Sequence, residues 1–376
     1  MRTRSQDPPA GPATARRGAA HRFHPLSVAS VSRLTDDAVI VTFDVPEELT
    51  EEFRFVQGQH LTVRWRSPEG ELRRNYSICS RAPDGPLRVA VKRLEGGSFS
   101  AHANESLRPG DVLDVMPPLG GFHVPLDPDL ARAHVAFAAG SGITPVLSLL
   151  LTTLATEPGS TFTLVYGNRT ASDVMFLDEL GDLKDRYPER FQLLNVLSRE
   201  ATDAPIRDGR IDAAKLDRLF ATLIPPGRVD QWYLCGPFEL VRMARAALAE
   251  RGVPRERVHF ELFHTEDAGP APRRGRSRKG AAGASRVRFT LGGVTSGVEV
   301  DTAADETVLG AALRVRGDAP FACRGGVCGT CRARVLDGEV DLARNFALEP
   351  DEISAGYVLT CQSRPVTSEV VLDYDA

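Results

Sequence analysis

The sequence predicts a multidomain chain of three folds in series: an antiparallel β-barrel, a doubly wound α/β domain and a small α+β domain. Three observations carry this expectation. Up to Val124 the apolar residues come in short alternating runs broken by Gly and Pro; from Leu130 to Phe263 strand-like runs alternate with helix-like ones; and from Val287 a short segment follows a stretch with no core-forming residues. At 376 residues the chain is long for one core, and domains of about 100 to 150 residues are expected. Composition places a tail at 1–20, the barrel at 21–127, the α/β domain at 128–264, a linker at 265–285 and the last domain at 286–376.

In the barrel the alternating runs are Val28 to Leu34, Ala38 to Val45, His60 to Trp65 and Leu87 to Lys92, with turn residues at Gly58, Pro83 to Pro86 and Pro109-Gly110. Among them sits Arg73-Arg-Asn-Tyr-Ser-Ile78. Arg74, Tyr76 and Ser77 on one strand offer a cation for a phosphate, a flat ring for stacking and a hydroxyl for a ring nitrogen. Gly96-Gly-Ser-Phe-Ser100 then precedes a short helical pattern from Ala101. Glycines before a helix leave N–H groups free for an anion, although a plain turn with a serine cap reads the same way.

In the α/β region, Ala133 to Ala139, Thr161 to Tyr166 and Gln231 to Cys235 read as strands, and Val146 to Leu151 and the residues from Phe238 as helices. Gly140-Ser-Gly-Ile-Thr-Pro145 follows the first strand. It has the look of a dinucleotide fingerprint with Pro145 in place of the third glycine, and proline fits a first helical turn. Where an acidic residue would select a ribose hydroxyl, the chain has Gly167-Asn-Arg169, and Ser198-Arg199 after a later strand. Two arginines there suit a 2′-phosphate, hence NADPH, with NADH as the alternative. Cys235-Gly-Pro237 ends the last parallel strand, where ligands gather in this architecture; a buried cysteine at that place is also ordinary packing.

The linker is Pro, Gly and Ala with Arg273, Arg274, Arg276, Arg278 and Lys279. It reads as a flexible tether, and with no aromatics interleaved for base stacking no nucleic-acid partner is expected. Past it, Cys323, Cys328 and Cys331 are spaced C-x4-C-x2-C, with Cys361 thirty positions beyond the last. That is the spacing by which a [2Fe-2S] cluster is held by four thiolates. The small or polar residues between them let backbone N–H groups turn toward the sulfurs. A structural zinc site and four ordinary buried thiols are the competing readings.

The net charge of −4 is uneven. Arg286 to Ala376 holds 14 Asp plus Glu against 9 Arg and no Lys, which leaves the rest of the chain at +1. The cysteine-rich end is the acidic end, and a cluster adds to its negative charge, suiting a basic partner surface. Six cysteines, four of them in one pattern, argue for a reducing compartment, so a cytoplasmic protein is expected. The tail has Arg2, Arg4, Arg16 and Arg17 but no apolar run of a secretory signal. No apolar stretch reaches the roughly 18 residues of a membrane span.

Taken together, the order Arg-x-Tyr-Ser, Gly-Gly-x-Phe-Ser, Gly-x-Gly-x-x-Pro, Cys-Gly-Pro and the four cysteines resembles the ferredoxin-NADP reductase family with a plant-type ferredoxin fused at the C-terminus. Leu197-Ser-Arg-Glu200, Gly209-Arg-Ile-Asp212 and Cys323 through Cys331 resemble the reductases of phenylacetyl-CoA epoxidases in particular. The resemblance covers His21 to Ala376 and implies a β-grasp last domain. It implies that Arg74 neutralises an FAD pyrophosphate, Tyr76 stacks on the isoalloxazine and Ser77 faces its N5, with Gly97, Ser98, Phe99 and Ser100 holding the pyrophosphate. Some fused relatives carry FMN. It further implies that Gly140, Gly142, Thr144 and Pro145 line the NADPH site with Cys235, Gly236 and Pro237, that Ser198 and Arg199, with Arg169 nearby, meet the 2′-phosphate, and that Phe263 partly replaces a C-terminal aromatic over the flavin. Tyr76, Ser77 and Cys235 are then the residues nearest the chemistry. The implied activity is an NADPH-dependent reductase that passes electrons through FAD and a [2Fe-2S] cluster to an oxygenase on another chain, a di-iron enzyme acting on phenylacetyl-CoA. Reductases for steroid, aromatic-ring or alkane hydroxylases share this build, and a non-catalytic redox sensor or metal-binding module is the alternative of another class.

Overall fold

The structure is a computed structural model that describes residues 22–67, 70–263, 284–301 and 304–376. The 1–20 tail and all of the expected linker except Ala284 and Ser285 lie outside the described residues.

Strands β1 (His24–Thr35), β2 (Ala38–Asp44), β3 (His60–Ser67), β4 (Gly70–Ser77), β5 (Arg88–Lys92) and β6 (Val112–Val115) pair antiparallel in the order β4-β3-β6-β1-β2-β5. A bridge between Ile78 and Val89 joins the two edges and closes the barrel. Its interior is the inward face of the alternating runs, among them Leu26, Val41, Leu61, Val63 and Val91. Helix α1 (Ser98–Glu105) adds Phe99 and Ala103 to that core. It begins three residues before the expected Ala101, because Gly97 is its N-cap and Phe99 is drawn inside.

The next unit alternates β7 (Ala133–Ala139), α2 (Ile143–Thr156), β8 (Thr161–Asn168), α3 (Leu177–Arg186), β9 (Phe191–Leu197), α4 (Ala213–Thr222), β10 (Gln231–Cys235), α5 (Phe238–Glu250) and β11 (Val258–Glu261). The sheet is parallel, in the order β11-β10-β7-β8-β9. Strand order therefore reverses between β7 and β10, where a doubly wound sheet opens its crevice. Helix α2 is buried nearly all round, a sign of apolar neighbours on two sides. One neighbour is the sheet; the other is the barrel, whose Cys79, Ala90 and Phe122 belong to the same core.

The last unit holds β12 (Ala284–Leu291), β13 (Val294–Asp301), α6 (Val308–Val315), β14 (Arg332–Asp337), β15 (Val340–Leu342), α7 (Pro350–Ser354), β16 (Tyr357–Leu359), β17 (Ser363–Pro365) and β18 (Glu369–Asp373). Its sheet runs β13-β12-β18-β14-β16, with β12 and β18 parallel and the other neighbours antiparallel. Helix α6, capped by the Thr307 hydroxyl, buries Val308, Leu309, Ala311 and Ala312 against it in a β-grasp. Strand β12 starts inside the stretch expected as linker. Ser285 is fully buried there and donates to the Thr367 carbonyl at 2.8 Å, a contact its polar side chain does not advertise. Among the described residues no helix is long and apolar enough to cross a membrane.

This third unit docks on both others. Arg73 of β4 reaches the carbonyls of Gly317 and Ala319 at 2.9 and 3.0 Å, and its guanidinium lies over Phe321. On the α/β side Phe346 meets Phe238 edge-on, Val327 is buried in the α/β core, and Arg255 pairs with Glu349 at 2.8 Å. Part of the acidity of the C-terminal end is thus met by a basic group of the same chain.

Candidate redox centre

The four cysteines converge in two pairs. Cys323 and Cys328 hydrogen-bond through their sulfurs, as do Cys331 and Cys361, and further charge interactions link the pairs. In the first pair the hydrogen bond from Cys328 lowers the Cys323 thiol and pushes its partner up. In the second, the bond from Cys331 lowers Cys361, and Cys331 is raised. The backbone turns as the sequence predicts: the Gly325 N–H lies 3.3 Å from the Cys323 sulfur, and the amides of Val327 and Cys328 also bond it. Arg324, Gly326 and Gly329 take left-handed backbone, and a Cβ on Gly326 would press on the Arg344 carbonyl at 3.2 Å. Two thiol pairs fit a group of two irons with two thiolates each.

At the other end, β4 presents the expected flavin residues. Arg74 is exposed, its guanidinium donating to the Arg73 carbonyl at 2.8 Å, so its charge is available to an anion. Tyr76 packs at 5.6 Å from Phe99, and burial pushes its phenol pKa up. Gly97 caps α1, so the N–H groups of Ser98, Phe99 and Ser100 are the unpaired donors of its first turn. Of these residues Ser98 lines, with Gly97, Lys92 and Arg93, a cavity of about 590 Å³. The Ser100 hydroxyl is occupied locally by Gly97 and Leu94, leaving its amide rather than its side chain for a phosphate. Arg169 lines this cavity too, while its carbonyl accepts from the Arg199 N–H at 2.8 Å. It therefore stands between the two expected phosphate sites.

The crevice of the parallel sheet brings together Gly140, Gly142, Thr144 and Pro145 with Cys235, Gly236 and Pro237. Gly140 is left-handed, and its carbonyl accepts from Tyr166 at 3.0 Å. A Cβ on Gly142 would collide with the Cys235 carbonyl, so glycine is required where the two strand ends meet. Thr144 turns its hydroxyl to the Ser141 carbonyl at 3.0 Å, and Pro145 sits in the first turn of α2. Pro237 leads into α5. Ser198 is half-buried and Arg199 exposed at the sheet edge.

Sequence reasoning misses two residues of this end. Glu261 closes β11 opposite Cys235, accepts from the Ser77 hydroxyl at 3.1 Å and lies 3.6 Å from His60. His60 is buried with both ring nitrogens unpartnered. Such orphaned polar atoms mark where a polar ligand belongs. Cys235 is fully buried; burial, then the nearby Glu261 charge, raises its thiol far above the usual range, so it remains protonated. Phe263 is half-buried against the core shared by barrel and sheet. Sequence offers a faint signal for Glu261, a carboxylate at a strand's C-terminal end, and none for His60. Between this group and the cysteines runs a cleft of about 1000 Å³ lined by His60, Phe122 and Glu261 on one side and Val327, Cys328 and Thr330 on the other.

Comparison with known proteins agrees with this layout. Residues 25–124 match the oxidoreductase FAD-binding domain, 137–246 the oxidoreductase NAD-binding domain and 292–366 the 2Fe-2S iron-sulfur cluster binding domain. A component of the 1,2-phenylacetyl-CoA epoxidase of Escherichia coli (strain K12) is 46% identical over 94% of this chain and 98% of its own. The ferredoxin reductase component of a Rhodococcus rhodochrous 3-ketosteroid-9-alpha-monooxygenase is 33% identical over 93% and 96%. The solved structure of phthalate dioxygenase reductase, described as a modular structure for electron transfer from pyridine nucleotides to [2Fe-2S], superposes with a TM-score of 0.55 at 27% identity, covering 93% of this chain and 98% of that one. The chain is an oxidoreductase that takes FAD, NAD(P)H and a [2Fe-2S] cluster, and it belongs to the ferredoxin-NADP reductase-like flavoproteins with a fused C-terminal plant-type ferredoxin, among the reductase components of oxygenase systems.

Proposed function

We propose that this chain is the reductase of a phenylacetyl-CoA epoxidase system, drawing on NADPH and serving a separate di-iron oxygenase in the cytoplasm. The observation that carries the reading is the match to the Escherichia coli epoxidase component over nearly the whole of both chains. When bound, the flavin takes a hydride and releases its two electrons singly, and the cluster relays them one at a time.

The chain's own residues bind, orient and shield. Arg74 and the first amides of α1 hold a diphosphate; Tyr76 covers a flat ring; Ser77 and Glu261 place a hydrogen-bonding pair at the ring's reactive edge. Gly142 and Gly236 let a nicotinamide approach the backbone closely, with the protonated Cys235 thiol as an uncharged wall. Ser198 and Arg199 meet a 2′-phosphate, Arg169 serves the phosphates on either side of it, and Phe263 lies at the flavin's edge. Cys323, Cys328, Cys331 and Cys361 ligate the cluster. The working units are 21–127, 128–264 and, with all of β12 included, 284–376.

The test is reconstitution with purified candidate oxygenases. NADPH-dependent epoxidation of phenylacetyl-CoA by the di-iron component, dependent on this chain, is the expected result. Faster delivery to a steroid or ring hydroxylase, or no oxygenase turnover with any acceptor, would reject the assignment.

A further inference from the structure

Strand β4 works on both of its faces. Arg74 and Tyr76 point to the flavin side, while the alternate residues Arg73 and Asn75 point to the docked cluster domain. Asn75 accepts from the Thr62 hydroxyl at 2.9 Å through its amide oxygen. In this amide orientation its nitrogen donates to the Thr330 hydroxyl oxygen at 3.1 Å. Thr330 lies between Cys328 and Cys331 and is only 4% exposed, so water does not compete for it. Its oxygen is occupied as an acceptor, and its single proton is left for the Cys328 sulfur, whose thiol the Thr330 side chain lowers.

We propose that Asn75 is a positioning residue for flavin-to-cluster electron transfer, tying the flavin strand to the cluster ligand Cys328 through Thr330 and directing the Thr330 proton onto that sulfur. The relay Thr62–Asn75–Thr330–Cys328 exists only while the cluster domain is docked, because it crosses the boundary between two domains. Arg73 holds the same boundary: it is 3% exposed, donates to Gly317 and Ala319, and stacks at 4.2 Å on Phe321, two residues before Cys323. A hydrogen bond to a ligating sulfur disperses its negative charge and makes the cluster easier to reduce. Asn75 exchanges neither electron nor proton; it sets the separation of the two redox groups and biases the potential of one. Docking and potential are thereby coupled through a single side chain.

The experiment uses the full-length protein loaded with flavin and cluster, as Asn75→Ala, Thr330→Val, Thr330→Ser and the Asn75→Ala/Thr330→Val double variant. Stopped-flow absorbance follows flavin and cluster separately, and a redox titration gives the cluster midpoint. In Asn75→Ala, flavin reduction by NADPH keeps its wild-type rate while cluster reduction slows about tenfold, the upper scale of one lost neutral hydrogen bond. The midpoint moves to more negative potential in Asn75→Ala and Thr330→Val, stays near wild type in Thr330→Ser, and moves no further in the double variant. Slower cluster reduction with an unmoved midpoint reduces Asn75 to a spacer and overturns the proposal. So does a wild-type rate in Asn75→Ala, or a flavin reduction rate that falls in step with the cluster's.

Discussion

The two ends of the electron path are built in opposite ways. At the cluster end, three of the four proposed ligands come from Cys323 to Cys331, and the loop between them shapes the site by its own backbone, with Arg324, Gly326 and Gly329 left-handed. At the flavin and nicotinamide end, Ser77 comes from β4, His60 from β3, Cys235 from β10 and Glu261 from β11, so two domains must meet before the site exists. A locally built site announces itself in sequence and fails when one ligand is lost. An assembled site is nearly silent in sequence and degrades by degrees as its parts misalign.

The sharpest break of this comparison is Cys328→Ala. It should abolish cluster absorbance and delivery to any acceptor while the flavin stays bound and reducible by NADPH. Retention of about two irons and two sulfides per chain would show that the pairing of thiols has been misassigned. At the assembled end the loss should be graded. Ser77→Ala and Glu261→Ala should each slow flavin reduction by NADPH about 10²-fold, the scale of an ångström's misplacement, with cluster absorbance intact. Stopped-flow flavin traces at wild-type rates in both would remove the pair from the reacting edge.

That contrast explains how far the sequence can be read. Cys323 to Cys331, the Arg74-Asn-Tyr-Ser77 strand and the Gly140 to Pro145 turn are each contiguous, and each is legible together with the element around it. Glu261, unlike its neighbour Phe263, gives only a faint signal, because its meaning lies in Ser77, 184 positions away. Asn75 reads as filler between Arg74 and Tyr76. Strand periodicity places it on the opposite face, but only the docked cluster domain shows what that face meets. The tether expected at 265–285 also runs two residues too far, because Ser285 is buried by the strand beside it rather than by its own polarity.

Smaller effects sharpen the picture. Arg199→Ala should reduce the preference for NADPH over NADH about tenfold, a charge-assisted contact's worth. An unchanged ratio of kcat/KM for the two coenzymes would move the 2′-phosphate contact elsewhere, with Arg169 the next residue to test. Stability should also fall in mild acid. His259 stacks on Tyr233, bonds Gln231 at 2.8 Å, and is held down at about 4 by burial and then by His123 and His134. Between pH 6.5 and about 4 the unfolded chain binds the proton that the folded chain refuses. The stability present above pH 6.5 is therefore lost as pH falls through that window, by up to about 1.4 kcal/mol per unit. Thermal melts of His259→Asn should show a flatter pH profile; an unchanged profile would assign the acid sensitivity to other groups.

The central claim is that one chain turns a hydride into single electrons by way of a flavin and a [2Fe-2S] cluster held side by side. Anaerobic titration of the loaded protein with NADPH, followed by absorbance and electron paramagnetic resonance, tests it most directly. The account predicts that the flavin bleaches, a reduced-cluster signal appears, and uptake approaches roughly three electrons per chain, two at the flavin and one at the cluster. Uptake that stops at two electrons with the cluster signal absent would contradict it.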